Sequence, residues 1–209
     1  MTARARYAEL QVTSHFSFLR GASSADELFA TAAVLGIEAL AVVDRNSLAG
    51  IVRAHEAAKP TGVRLIVGCR LDLTEGMSAL VYPTDRPAYS RLCRLLTHGK
   101  KRGGKARCVL EWADLVAYGE GLIVVLVPDQ ADEICGVRLR RLRDAFGDRA
   151  FMALTLRRRP NDQLRLHELS NLAARMRVPT VVTNDVLFHE PGRRMLQDVV
   201  TCIRHNVTI

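Results

Sequence analysis

Aromatic side chains are scarce in this sequence: one Trp, four Tyr and six Phe make up 5% of its 209 residues. A surface that holds single-stranded nucleic acid by stacking bases needs rings in succession, so their scarcity argues against a stacking platform. Cysteine is sparse as well. The five, Cys69, Cys93, Cys108, Cys135 and Cys202, are odd in number and never spaced C-x-x-C, which argues against a disulfide framework or a zinc knuckle and for reduced core thiols. No apolar run approaches the roughly 20 residues that cross a bilayer. The opening Met1-Thr2-Ala3-Arg4-Ala5-Arg6 leads into a strand and not into a signal-peptide core, so a cytoplasmic location with no membrane partner is expected. Acidic residues are outnumbered, 22 against 30 Lys and Arg, giving a formal charge of +8. That balance suits an acidic partner such as nucleic acid; arginine spread over solvated helix faces is the blander reading.

What is present is a repeated unit, clearest from Ile37 to Arg70. Ala39 to Val43 is an apolar run of strand length, continuous enough to be buried on both faces, and it stops at Asp44. Asn46-Ser47 is a natural N-cap pair, followed by Leu48, Ile51, Val52, His55 and Ala58 at helical spacing, Lys59 in the last turn and a Pro60-Thr61-Gly62 break. A second apolar run, Val63 to Val67, ends at Gly68-Cys69-Arg70. The unit therefore reads strand, crossover helix, parallel strand, with Asp44-Arg45 and Arg70 as neighbours on one edge.

The alternation extends along the chain. Tyr7 to Thr13 forms a first strand, Ser14 to Gly21 a loop, and Ser24 with Glu27 a capping box for a helix that stops at Gly36. Met77 to Tyr82 is a fourth strand, followed by a helix from about Arg86 to Thr97 with Tyr89, Leu92, Leu95 and Leu96 inward. His98 to Arg107 has five cations, three glycines and no apolar face, and is expected to be a flexible basic loop whose Lys100, Lys101, Arg102 and Lys105 could touch nucleic acid phosphates. A short helix with Trp112 and Leu115 precedes a strand at Leu122 to Val127. Then come a helix from Gln130 to Phe146, a strand at Ala150 to Leu156, a helix capped by Asn161-Asp162, a strand at Val178 to Thr183, and a final helix from Pro191 toward His205. Seven strands alternating with helices, with no glycine-rich phosphate loop after the first, favour a closed or nearly closed (β/α) barrel over a doubly wound sheet. In such a barrel the working residues lie at carboxyl ends of strands: Gln11 and Thr13, Asp44 and Arg45, Arg70, and Asn184 to Leu187.

Tyr7-Ala8-Glu9-Leu10, Ser14 to Ala22, Asp44 to Gly50, Thr183 to Val186 and Asp198 to Arg204 fall in an order that resembles the polymerase-and-histidinol-phosphatase (PHP) domain. The version they resemble stands at the amino terminus of bacterial C-family DNA polymerases of the error-prone branch. The resemblance implies a distorted (β/α)7 TIM-like barrel over residues 1–209, one PHP-type domain of a longer chain whose remaining polymerase domains are its partners. It also implies roles in DNA replication and repair of DNA damage, with DNA reached through the parent protein.

Active members of that family hold up to three metals and use them to hydrolyse phosphoesters. Carried over position by position, the ligand set is degraded. Gln11 and Thr13 stand where two histidines would, Arg45 follows Asp44 in place of a histidine, Arg70 replaces a glutamate, and Leu187 replaces the last histidine, while Asp185 remains. His15 and His189 are each shifted by two from ligand positions. Two permanent guanidinium charges oppose a cation, so no metal, no cofactor and no catalysis are expected here, with Arg45 and Arg70 taking the place of lost metals beside Asp44 and Asp185. The competing readings are a metal-dependent phosphoesterase or proofreading 3′-5′ exonuclease, and a basic nucleic-acid-binding module.

Overall fold

The computed structural model describes residues 6–209; the reading of Met1 to Ala5 as a lead into the first strand lies outside the described residues. Strand β1 (Ala8–Val12) is followed by helix α1 (Ala25–Leu35), β2 (Ala39–Val42), α2 (Ile51–Thr61) and β3 (Arg64–Val67), and the three strands pair in parallel in that order. All four residues of β2 are buried because it is the middle strand, covered on both faces. Ala25, Ala32, Ala54 and Ala57 are small residues of α1 and α2 that join Leu28, Phe29 and Leu40 in one core, small enough to let the helices approach the sheet.

Beyond Gly68 a second sheet begins: β4 (Cys69–Asp72), β5 (Ser78–Pro83), α3 (Arg86–Gly103), α4 (Trp112–Tyr118), β6 (Leu122–Leu126), α5 (Glu133–Phe146), β7 (Ala150–Thr155), α6 (Asp162–Met176) and β8 (Thr180–Thr183). The strand order is β4-β5-β6-β7-β8, antiparallel in the first two pairings and parallel in the last two. A 3-10 turn (Pro191–Arg193) and helix α7 (Arg194–His205) complete the chain. It divides into two compact units, one of residues before Cys69 with Asn184–Ile209, the other Cys69–Thr183.

Charge is unevenly shared between these units. Residues 69–183 hold 20 Lys and Arg against 13 Asp and Glu, a net +7, whereas the rest holds 10 against 9, a net +1.

Several expectations are corrected. The described strands number eight, not seven, and pair as one parallel and one mixed sheet with no closed ring detected among them: the third strand breaks at Gly68, and Arg70 falls inside a separate antiparallel strand. Helix α2 starts at Ile51, not after Asn46-Ser47: Asn46 takes a left-handed φ of 49° and Ser47 Oγ accepts the Ala49 amide, which spends that pair on a turn. Pro60 lies within the last turn of α2 instead of ending it. The basic stretch His98 to Gly103 is helical, not a flexible loop. Gly99 allows close packing, since a Cβ there would lie 2.6 Å from Leu110 Cδ2, and the cations Lys100, Lys101 and Arg102 suit a helix C-terminus. Tyr89 remains partly exposed while Leu92, Leu95 and Leu96 turn inward.

Candidate functional site

The first unit brings Gln11, Thr13, Asp44, Arg45, Asp185 and Leu187 to one edge of its sheet. The segment after Thr183 runs beside β1, with Thr13 donating its N–H to the Val186 carbonyl at 2.9 Å and Val186 returning one to Gln11 at 2.8 Å. Ala22 then donates to the Leu187 carbonyl at 2.8 Å, which fixes the far end of the loop that leaves β1. That loop turns back on itself so tightly that a Cβ on Gly21 would fall 2.3 Å from the Ser14 carbonyl oxygen, an approach only glycine permits.

Asp44 is the buried carboxylate at the end of β2, and the loop wraps it. Ser14 N–H donates to Oδ1 at 2.8 Å, Ser14 Oγ to Oδ2 at 2.8 Å, and Ser17 Oγ to Oδ1 at 3.0 Å. Ser17 Oγ in turn accepts the Arg45 backbone N–H at 2.8 Å. Gly50 closes the enclosure, since a Cβ there would come within 2.8 Å of Asp44 Oδ2. Burial pushes the Asp44 carboxyl above its ordinary range, against the opposing pull of the Ser14 and Ser17 hydrogen bonds and of the His15 charge.

Asp185, held at a left-handed φ of 49°, accepts a hydrogen bond from Gln11 Nε2 at 2.7 Å on Oδ1. An amide donor of β1 thus points at the acid that follows β8. Beneath it, buried Glu9 accepts from Gln11 N–H, Tyr7 Oη and Asn184 Nδ2 at 2.8, 2.7 and 2.9 Å. Burial, then the bond and charge of Glu9, drive the Tyr7 hydroxyl well above its ordinary value.

Arg70 belongs to the second unit. Its Nε donates across the β4–β5 hairpin to Ser78 Oγ at 2.7 Å and lies 3.6 Å from Asp72 on its own strand. His15 stacks on Phe16 with ring centroids 4.8 Å apart, and His189 Nδ1 meets Ser23 Oγ at 2.8 Å. Both imidazoles thus have local structural partners. Lys100, Lys101 and Lys105 are exposed at the end of α3, whereas Arg102 holds Asp114 through two bonds of 2.7 and 3.0 Å.

The family's metals would need convergent anionic or imidazole donors. Here Asp44 and Asp185 receive O–H and N–H donors, and Gln11, Thr13 and Leu187 bring no imidazole or carboxylate, so the residues do not fit such a cluster. Among the described residues no group of three or more His, Cys, Asp or Glu is placed to hold a metal. Sequence reading missed Ser14, Ser17 and Glu9. The alternation of Glu9 with Gln11 along β1 was a usable signal, whereas nothing local marks two loop serines as partners of an acid about 30 residues away.

Two sheets, with Asp44 following β2 and Asp185 following β8, define a mixed α/β chain. Residues 9–155 match the PHP domain, and the chain belongs to that family. It is 72% identical over 203 residues to error-prone DNA polymerase 2 of Agrobacterium fabrum and 47% identical over 205 residues to the error-prone DNA polymerase of Caulobacter vibrioides. Each match covers 97% of this chain but only 19% of the relative's length. Among solved structures, a Bifidobacterium adolescentis protein provisionally assigned as a metal-dependent phosphoesterase superposes with a TM-score of 0.68 at 15% identity, covering 90% of both chains.

Proposed function

We propose that this chain is a non-catalytic PHP scaffold segment of an error-prone DNA polymerase acting in the cytoplasm in replication and repair of damaged DNA. The observation that carries the reading is the saturation of Asp44 by Ser14 and Ser17, joined by the Gln11 bond to Asp185. Oxygen lone pairs that a metal would need are engaged by intramolecular donors, and the chemistry of a metal-dependent phosphoesterase or of a 3′-5′ exonuclease loses its cation. The rest of the polymerase is the partner, and the domain needs no cofactor of its own. The test is elemental analysis of the purified chain with assays on a chromogenic phosphodiester and on a DNA 3′ end. We expect less than about 0.1 zinc, manganese or iron per chain and no turnover; a stoichiometric metal with hydrolysis abolished by Asp44→Ala would replace this reading with the hydrolytic one.

A second reading is favoured by one observation, the concentration of net charge in residues 69–183. It assigns this unit a weak, sequence-independent contact with DNA phosphates that adds to the parent polymerase's own binding.

A further inference from the structure

We infer that the outer face of α7 is a docking surface for the remainder of the polymerase chain, an inference that rests on the scaffold reading above. Met195, Leu196, Val199 and Ile203 recur at the spacing of one helical stripe, yet Met195 is 76% and Ile203 59% exposed. The residue α7 buries is instead Gln197, and its Oε1 has no hydrogen-bond partner. A helix that turns a polar side chain inward and an apolar stripe outward has its polarity inverted relative to its own unit, the arrangement of an element with a second apolar neighbour. Arg204 Nη1 donates to the Leu19 carbonyl at 3.1 Å, which ties the turn bearing Ile203 to the loop bearing Phe18, itself 83% exposed.

Two arguments select the occupant. The matched relatives devote only 19% of their length to this region, so in them most of the polypeptide is available to cover it. A single helical stripe also falls short of the roughly 800 Å² per partner typical of a stable association between separate molecules. A covalently continuous neighbour needs less, because the tether supplies an effective concentration in the millimolar range. The surface therefore fits an apolar patch of the same polymerase chain better than a second copy.

The test grafts this chain in place of the 203 matched residues of the full-length Agrobacterium fabrum error-prone DNA polymerase 2 and introduces Ile203→Cys. Maleimide labelling at position 203, mapped by mass spectrometry, is expected to be at least tenfold slower in the polymerase than in the 209-residue chain alone. Equal labelling in a graft that extends primers would overturn the docking surface and leave the scaffold reading standing; a graft that cannot extend primers would overturn the scaffold reading and this inference with it. As a second measurement, the pair Met195→Glu and Ile203→Glu should lower the melting temperature of the graft while leaving that of the isolated chain unchanged. A dimer of the isolated chain in sedimentation that Ile203→Glu dissociates would assign the face to a second copy and overturn the proposal.

Discussion

Asp44 shows how much local structure a single buried carboxylate can hold. Its carboxylate organises the loop from Ser14 to Ser17, and removing it strands a backbone N–H and two hydroxyls in a buried place. Asp44→Ala is therefore expected to destabilise the chain by about 3 kcal/mol, while Asp44→Asn, which keeps an acceptor and sheds a desolvated charge, should cost about 1 kcal/mol or less. Urea denaturation of the two variants checks this; equal losses would show that the loop does not depend on the acceptor. The pH dependence follows with a definite sign. The folded-state carboxyl titrates above its ordinary value, so the native state holds its proton longer than the unfolded chain. Stability from this group is highest below the ordinary aspartate range and falls as pH rises toward the raised value, a slope that Asp44→Asn should remove. Asp114 contributes oppositely: the Arg102 bond holds it low, and its stabilisation fades as pH falls through that lowered value.

Elements whose signals are local could be read from the residues. Helix α1 has its Ser24 and Glu27 capping box and ends at a left-handed Gly36, features that lie within a few residues of each terminus. The end of α3 could not be read so, because the reason it continues through the basic stretch lies in tertiary packing: Gly99 against Leu110, and Arg102 on Asp114 twelve residues on. The break of the third strand at Gly68 and the antiparallel turn of β4 and β5 escaped for the same reason, since local alternation does not reveal strand sense. At the candidate site, strand-end positions of Gln11, Asp44 and Asp185 were legible, while the serine clamp depended on a contact between distant stretches. Gly99→Ala tests the packing account of α3. Helix propensity alone favours alanine by about 1 kcal/mol, whereas the added methyl must displace a fully buried Leu110. A net loss of about 1 kcal/mol in thermal unfolding is expected, and a gain would mean that glycine serves no packing purpose there.

At the scale of the whole molecule, a formal charge of +8 is less informative than its location, since nearly all of the excess falls in residues 69–183 and the first unit is almost neutral. Many of those cations are committed internally: Arg102 to Asp114, Arg157 to Asp129, Arg165 to Asp162, and Arg143 in part to the Met176 carbonyl. Lys100, Lys101 and Lys105 are exposed and clustered, which makes them the simplest place to look for a phosphate contact. Each phosphate neutralised on duplex DNA releases condensed counterions, so affinity falls with salt at a slope of about −0.9 per contact. Three lysines contribute at most about −2.7 to that slope. Replacing all three by alanine should weaken binding of a primer-template duplex at low salt and flatten the slope by up to that amount, with the unfolding midpoint only slightly lowered, because Lys100 and Lys101 meet the C-terminus of α3 and make no bridge across the fold. Arg102→Ala should behave differently, lowering stability by about 1 kcal/mol or more through the buried Asp114 it deserts, with little further change in slope. Fluorescence anisotropy titrations at several salt concentrations separate the two behaviours. If the triple variant keeps the full salt slope, the phosphate contact lies on another face of the chain, and the charge at the end of α3 serves the helix terminus alone.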